Sequence, residues 1–99
     1  MNFVVIYTDK PNGLPLRMAN RQAHLDYVKN SACVRLGGPM LGGADGETMT
    51  GGIVVLELDT IEQARAWADE DPYVKGGVME SVVVRAFRWS VGNPALPGS

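Results

Sequence analysis

Short β-branched and aromatic runs alternate along the chain with longer stretches whose apolar residues recur at helical spacing. Phe3-Val4-Val5-Ile6-Tyr7 predicts a first strand, stopped by the turn formers Asp9-Lys10-Pro11-Asn12-Gly13. From Arg17 to about Ser31 there is neither Gly nor Pro, and Met18, Leu25 and Val28 with interleaved alanines predict a helix with one buried face. Cys33-Val34-Arg35-Leu36 predicts a second strand. It should run out into a flexible turn region at Gly37-Gly38-Pro39-Met40-Leu41-Gly42-Gly43, because Gly and Pro both interrupt a β ladder. Ala44-Asp45-Gly46-Glu47 then reads as a loop tip.

Gly52 to Leu58 is the clearest strand in the sequence, and Thr60 with Gln63 three residues later predicts a capped helix start. Ile61, Ala64, Trp67 and Ala68 share one face of that helix, with Glu62, Arg65 and Asp69 outside. The helix should end near Asp71, since the residue before Pro72 is pushed out of the α region, and Pro72-Tyr73-Val74-Lys75 has room for one further turn. Glu80 to Trp89 reads as a long final strand with a β-branched centre. The Pro/Gly-rich residues 92–99 form a tail with no packed element of their own, leaving a single domain over residues 1–91.

Strand, helix, strand, strand, helix, strand is the split pattern of an α+β, ferredoxin-like βαββαβ domain, a four-stranded antiparallel sheet with two helices on one face. The opposite face has no element left to cover it, although its strands carry apolar residues at successive positions. A second copy stacking sheet on sheet would bury that face, which predicts a homodimer or a higher homo-oligomer.

Composition narrows the partners further. A formal charge of −2, with the Lys and Arg residues scattered, offers no basic stripe for a phosphate backbone, so nucleic acid is not expected. The apolar runs fall far short of the roughly 20 residues that cross a bilayer, and the N-terminus has no basic leader region, so no membrane partner and a cytoplasmic location are expected. Cys33 is the sole cysteine and His24 the sole histidine, which leaves no disulfide framework and no expected metal site. Cys33, between Ala32 and Val34, reads as a small buried hydrophobe and not as a nucleophile.

His24 lies in the middle of the first predicted helix with Arg21 three residues before it on the same side. It is either a solvated helix residue or a proton carrier, and the second role calls for a carboxylate that holds its tautomer and orientation. Asp71 is the candidate, because an Asp before Pro at a helix end stands at a constrained bend. Gly37-Gly38-Pro39 allows the backbone to approach a ligand closely.

At these residues the chain resembles the YCII-related family of small proteins. Arg21-Gln22-Ala23-His24-Leu25-Asp26-Tyr27 is similar to the family's R-x-x-H-L-x-Y helix, Gly38-Pro39 to its glycine-proline after the second strand, and Asp71-Pro72-Tyr73 to its D-P-[FY] segment. Gly76-Gly77-Val78 and a strand ending in Phe87-Arg88-Trp89 follow in matching order, so the likeness spans roughly 85 residues. The resemblance implies a dimeric α/β barrel and a pocket between helix and sheet where His24 and Asp71 meet as a catalytic dyad, with Arg21, Gly38, Pro39 and Tyr73 around a small-molecule ligand. Removal of chloride from a chlorinated hydroxyquinone is the chemistry attributed to one related member, and most members have no assigned reaction. The expected function is therefore cofactor-free His/Asp proton transfer of isomerase, lyase or dehydrohalogenase type on a small, aromatic or hydroxylated metabolite. The competing reading is a non-catalytic ligand-binding or accessory module of the same fold. A haem reading would rest on His24 alone.

Overall fold

The computed structural model describes residues 1–92, so all but the first residue of the expected tail lies outside the described residues. Four strands and three helices follow one another as β1 (Asn2–Asp9), α1 (Leu14–Lys29), β2 (Val34–Gly42), β3 (Thr48–Glu57), α2 (Ile61–Asp69), α3 (Pro72–Lys75) and β4 (Met79–Phe87). The strands form one antiparallel sheet in the order β2-β3-β1-β4, the ferredoxin-like α+β arrangement read from the element order. The first strand of the split motif thus lies inside the sheet, where β1 pairs with β3 on one side and with the edge strand β4 on the other.

Strand alternation separates the two sheet faces. Phe3, Val5 and Tyr7 of β1 and Val54 and Leu56 of β3 point to the helices and join Ala64, Trp67 and Ala68 of α2 in the core. At about 25 cal/mol per Å² of apolar surface, burying each of these larger side chains contributes roughly 1.5 to 3 kcal/mol. The start of α2 is fixed as its sequence suggests: Thr60 Oγ1 accepts the Gln63 N–H, and the Gln63 side chain returns to accept the Thr60 N–H. The opposite sheet face carries Val4, Ile6, Ile53 and Val55, with Leu36, Met40 and Val83 exposed beside them, and no helix covers it.

Three expectations about the elements need correction. Helix α1 begins at Leu14, three residues earlier than Arg17, because Pro15 stands in its first turn where no N–H is required. Met18 and Leu25 are exposed, and the inward side of α1 instead carries Arg17, His24, Tyr27 and Val28. Hydrophobic spacing misleads here because the buried stripe of α1 is largely polar. Finally, β2 does not dissolve at Gly37 but runs on through Pro39 to Gly42, paired with β3. It is an edge strand, where a missing N–H is tolerated, and register shifts at Val34/Leu36 and Met40/Leu41 absorb the irregularity.

One close approach makes the local geometry of the site workable. A Cβ at Gly51 would collide with the Tyr7 carbonyl oxygen, so the glycine lets β3 lie against β1 at the point where Tyr7 enters the site. Cys33 is half-buried against the core, where burial pushes its thiol up from the ordinary range.

Candidate active site

Among the described residues Asp71 is the most buried ionisable side chain, with no exposed surface. The Asp-Pro sequence makes this position: Pro72 opens α3, and Asp71 stays extended at φ −62° and ψ 127° as its N-cap. A carboxylate taken out of water must find donors, and Asp71 has three. The Tyr73 N–H donates to Oδ1 at 2.9 Å, the Tyr7 hydroxyl donates to Oδ2 at 2.9 Å, and Nδ1 of His24 lies 2.8 Å from Oδ1 and 3.1 Å from Oδ2.

The two residues that sequence reasoning singled out therefore meet, although 47 positions separate them. With Nδ1 directed at an acceptor, the assigned tautomer carries its proton on Nδ1. Nε2 is then the ring nitrogen without a protein partner among the described residues. The imidazole is braced by Tyr73, whose ring stacks on it at 3.9 Å between centroids and 10° between planes.

Arg17 braces Tyr73 in turn. Its guanidinium carbon lies 4.6 Å from the Tyr73 ring centroid, and an Nη1 proton is directed at the Tyr73 hydroxyl at 3.2 Å. Of its other donors, Nε bonds Asp9 Oδ2 at 2.8 Å, Nη2 bonds the Gly51 carbonyl at 2.6 Å, and Nη1 also faces the Met49 sulfur at 3.9 Å. Arg17 and Asp9 form an almost fully buried pair, with side chains 5% and 6% exposed. Its charge is thereby neutralised inside the protein. Arg21, one turn on, is exposed and makes no ion pair or hydrogen bond among the described residues, so its charge is the one available to a ligand.

These groups line a cavity of about 140 Å³ between α1 and the β2–β3 edge of the sheet. That is close to the ~150 Å³ that suffices for one benzene ring. Leu25, Val28, Met49 and Val54 give it apolar walls, Gly37, Gly38, Gly52 and Pro39 a floor with little side-chain bulk, and Tyr7, Arg17, Arg21, His24 and Tyr73 its polar side. All of His24, Arg21, Gly38, Pro39 and Tyr73 thus border one space, with Asp71 directly behind it. Among the described residues no three His, Cys, Asp or Glu side chains gather as metal ligands, and no helix is long and apolar enough to cross a membrane.

Burial sets the charge states around the dyad. Burial first, and then the facing Asp71 carboxylate, push the Tyr7 phenol far above its ordinary value, which keeps it a neutral hydrogen-bond donor. Tyr73 is also raised by burial, against the lowering effect of Arg17. Tyr27, which donates to the Trp67 carbonyl at 2.7 Å and ties α1 to α2, is pushed up to about 12 by burial and then by Asp71.

Tyr7, Asp9, Arg17 and Met49 escaped the sequence reading. Two signals were present. Tyr7 alternates with Phe3 and Val5 and so had to share their buried face, and Arg17 precedes Arg21 by four and His24 by seven residues, on the same helix side. Nothing local marks Asp9 or Met49.

Comparisons with known proteins bear on the family and the fold. The description of the YCII-related domain matches residues 1–88. The chain is 37% identical over 97 residues to protein YciI of Escherichia coli, covering 89% of this chain and 97% of that protein, and 35% identical over 95 residues to an uncharacterised protein of Haemophilus influenzae with the same coverage. Among solved structures it is similar to the 5-chloro-2-hydroxyhydroquinone dehydrochlorinase TftG of Burkholderia phenoliruptrix, held in complex with 2,5-dihydroxybenzoquinone. The TM-score is 0.79 and the identity 32%, over 93% of this chain and 96% of that one. A Mycobacterium tuberculosis protein at 12% identity and TM-score 0.51, covering 92% of this chain and 97% of that one, shares the fold alone. Profile, identity and fold together make this chain a member of the YCII-related domain family.

Proposed function

We propose that the chain is a cofactor-independent enzyme that transfers a proton on a small, ring-sized metabolite, with His24 as the proton carrier. The observation that carries this reading is the His24 imidazole bordering the cavity with Nδ1 held by the fully buried Asp71. In that arrangement Nε2 takes the substrate proton, and Asp71 stabilises the imidazolium that results. Arg21 meets an anionic oxygen of the ligand, the Gly38-Pro39 backbone borders its edge, and Tyr73 keeps the imidazole in plane. In a dehydrohalogenation, the electron pair left by the departing proton forms the new double bond as the carbon–halogen bond breaks and halide leaves. In an isomerisation the proton returns at a different atom. The dehydrochlorinase at 32% identity supports chemistry of this class on a hydroxylated ring.

The test is proton exchange and turnover of 5-chloro-2-hydroxyhydroquinone and related phenols in deuterated water, followed by NMR. His24→Ala and Asp71→Asn are each expected to lower the rate by about 10² to 10⁴. Full rate in both variants sinks the reading. Saturable binding by the parent chain with neither exchange nor turnover of any ring compound would leave a ligand-holding module.

A second copy covers the helix-free sheet face in the same reading. Leu36, Met40 and Val83 stand 44%, 38% and 36% exposed there beside Val4, Ile6 and Ile53, an apolar surface of the kind that marks a protein contact. Sedimentation of the parent chain should give twice the 10.6 kDa chain mass or a multiple of that, and Leu36→Lys should shift it towards the single chain. A parent chain that sediments at 10.6 kDa at high concentration removes the proposal.

A further inference from the structure

Both members of the dyad sit outside the sheet, His24 on α1 and Asp71 at the head of the four-residue α3. A carboxyl group turns readily about its last bond, because that torsion has broad minima. Its orientation has to come from its partners. The Tyr73 N–H holds Oδ1 from within the same turn, and the Tyr7 hydroxyl holds Oδ2 from β1. Among the described residues this Tyr7 contact is the one side-chain hydrogen bond that joins the dyad to the sheet. Tyr7 is itself 2% exposed on a strand paired along both edges, the best-anchored setting the fold offers.

We propose that Tyr7 is a positioning residue, whose hydroxyl holds the Asp71 carboxylate in the orientation that keeps the His24 Nδ1–H bonded and leaves Nε2 to the cavity. The inference rests on the proton-transfer reading for its catalytic meaning. Two anchors on different oxygens fix the carboxylate plane, and Nδ1 then lies 2.8 and 3.1 Å from the two oxygens at once. With Oδ1 alone held, the plane is free to turn about it, and the imidazole keeps its contact to Oδ1 but loses the fixed second contact to Oδ2. Tyr7 borders the cavity, but its hydroxyl is committed to Asp71, so it acts through the dyad and not on the ligand.

Because His24 is the sole histidine, ¹⁵N-detected NMR of the imidazole reads this site without overlap and without a substrate. In the parent chain a single tautomer with a protected Nδ1–H is expected. In Tyr7→Phe the Nδ1–H resonance should shift and exchange with solvent about tenfold faster or more, the scale of one lost hydrogen bond to a charged acceptor. Tyr27→Phe is the control, since it also deletes a tyrosine hydrogen bond but one directed at the Trp67 carbonyl, and it should leave the His24 signals in place. Parent-like signals in Tyr7→Phe overturn the proposal, as does an equal change in Tyr27→Phe. Should Tyr7→Phe not fold, 3-fluorotyrosine at position 7 keeps the shape and strengthens the donor. A displaced Nδ1–H resonance then supports the proposal and an unmoved one overturns it. A loss here leaves the His24→Ala rate test intact, so the positioning role and the proton-transfer reading fail separately.

Discussion

Asp71→Ala is expected to destabilise the fold by about 3 to 5 kcal/mol, measured by urea unfolding. The substitution strands two buried donors at once, the Tyr7 hydroxyl and the Tyr73 N–H, and removes the partner of His24. It also deletes the N-cap of α3, which by itself is worth about 1 kcal/mol. Asp71→Asn keeps the volume and an oxygen for Oδ1 contacts, so its cost should be smaller, about 1 to 3 kcal/mol. A domain of this size is stable by roughly 5 to 15 kcal/mol in total, so the alanine variant approaches the limit of folding. An alanine variant within about 0.5 kcal/mol of the parent would mean that water replaces the carboxylate and that Asp71 is no keystone of α3.

The second large effect concerns Arg17. Arg17→Met should cost about 3 to 5 kcal/mol, because it leaves the Asp9 carboxylate buried without its counter-charge. Asp9 is poorly placed to bear that loss, since its Oδ1 already lacks a hydrogen-bond partner. The double variant Asp9→Leu/Arg17→Met removes both charges and should recover most of the loss, giving a coupling of at least about 2 kcal/mol in the double-mutant cycle. Strict additivity of the two single changes would show that the pair is not a unit. Arg17 reaches the dyad through Tyr73, by its contact with the hydroxyl and the ring, so imidazole stacking links the two networks.

Much of this architecture is local and therefore legible in order. The Thr60–Gln63 capping box, the Ala64, Trp67 and Ala68 stripe of α2 and the Asp71-Pro72 break are each decided by residues within one or two turns. Strand β1 declares itself through its β-branched run, and the element order leaves few topologies open. The same locality misled at two elements. Gly37, Gly38 and Pro39 are poor strand formers, yet pairing with β3 carries them into β2, because an edge strand needs donors on one side only. Met18 and Leu25 are good helix-core residues by spacing, yet they are exposed, because α1 turns Arg17 and His24 towards the sheet.

By itself the sequence determined the α+β order, the edges of α2 and α3 and the two residue types of the dyad, since propensity, capping and the steric effect of proline act over a few bonds. Only the tertiary structure decided that His24 reaches Asp71 across 47 positions, that Tyr7 reaches it across 64, and that Arg17 and Asp9 are buried together. Those contacts depend on how α1 and α3 settle on the sheet. Their hydrogen bonds form only when packing has expelled water from between groups that carry no mark of each other along the chain.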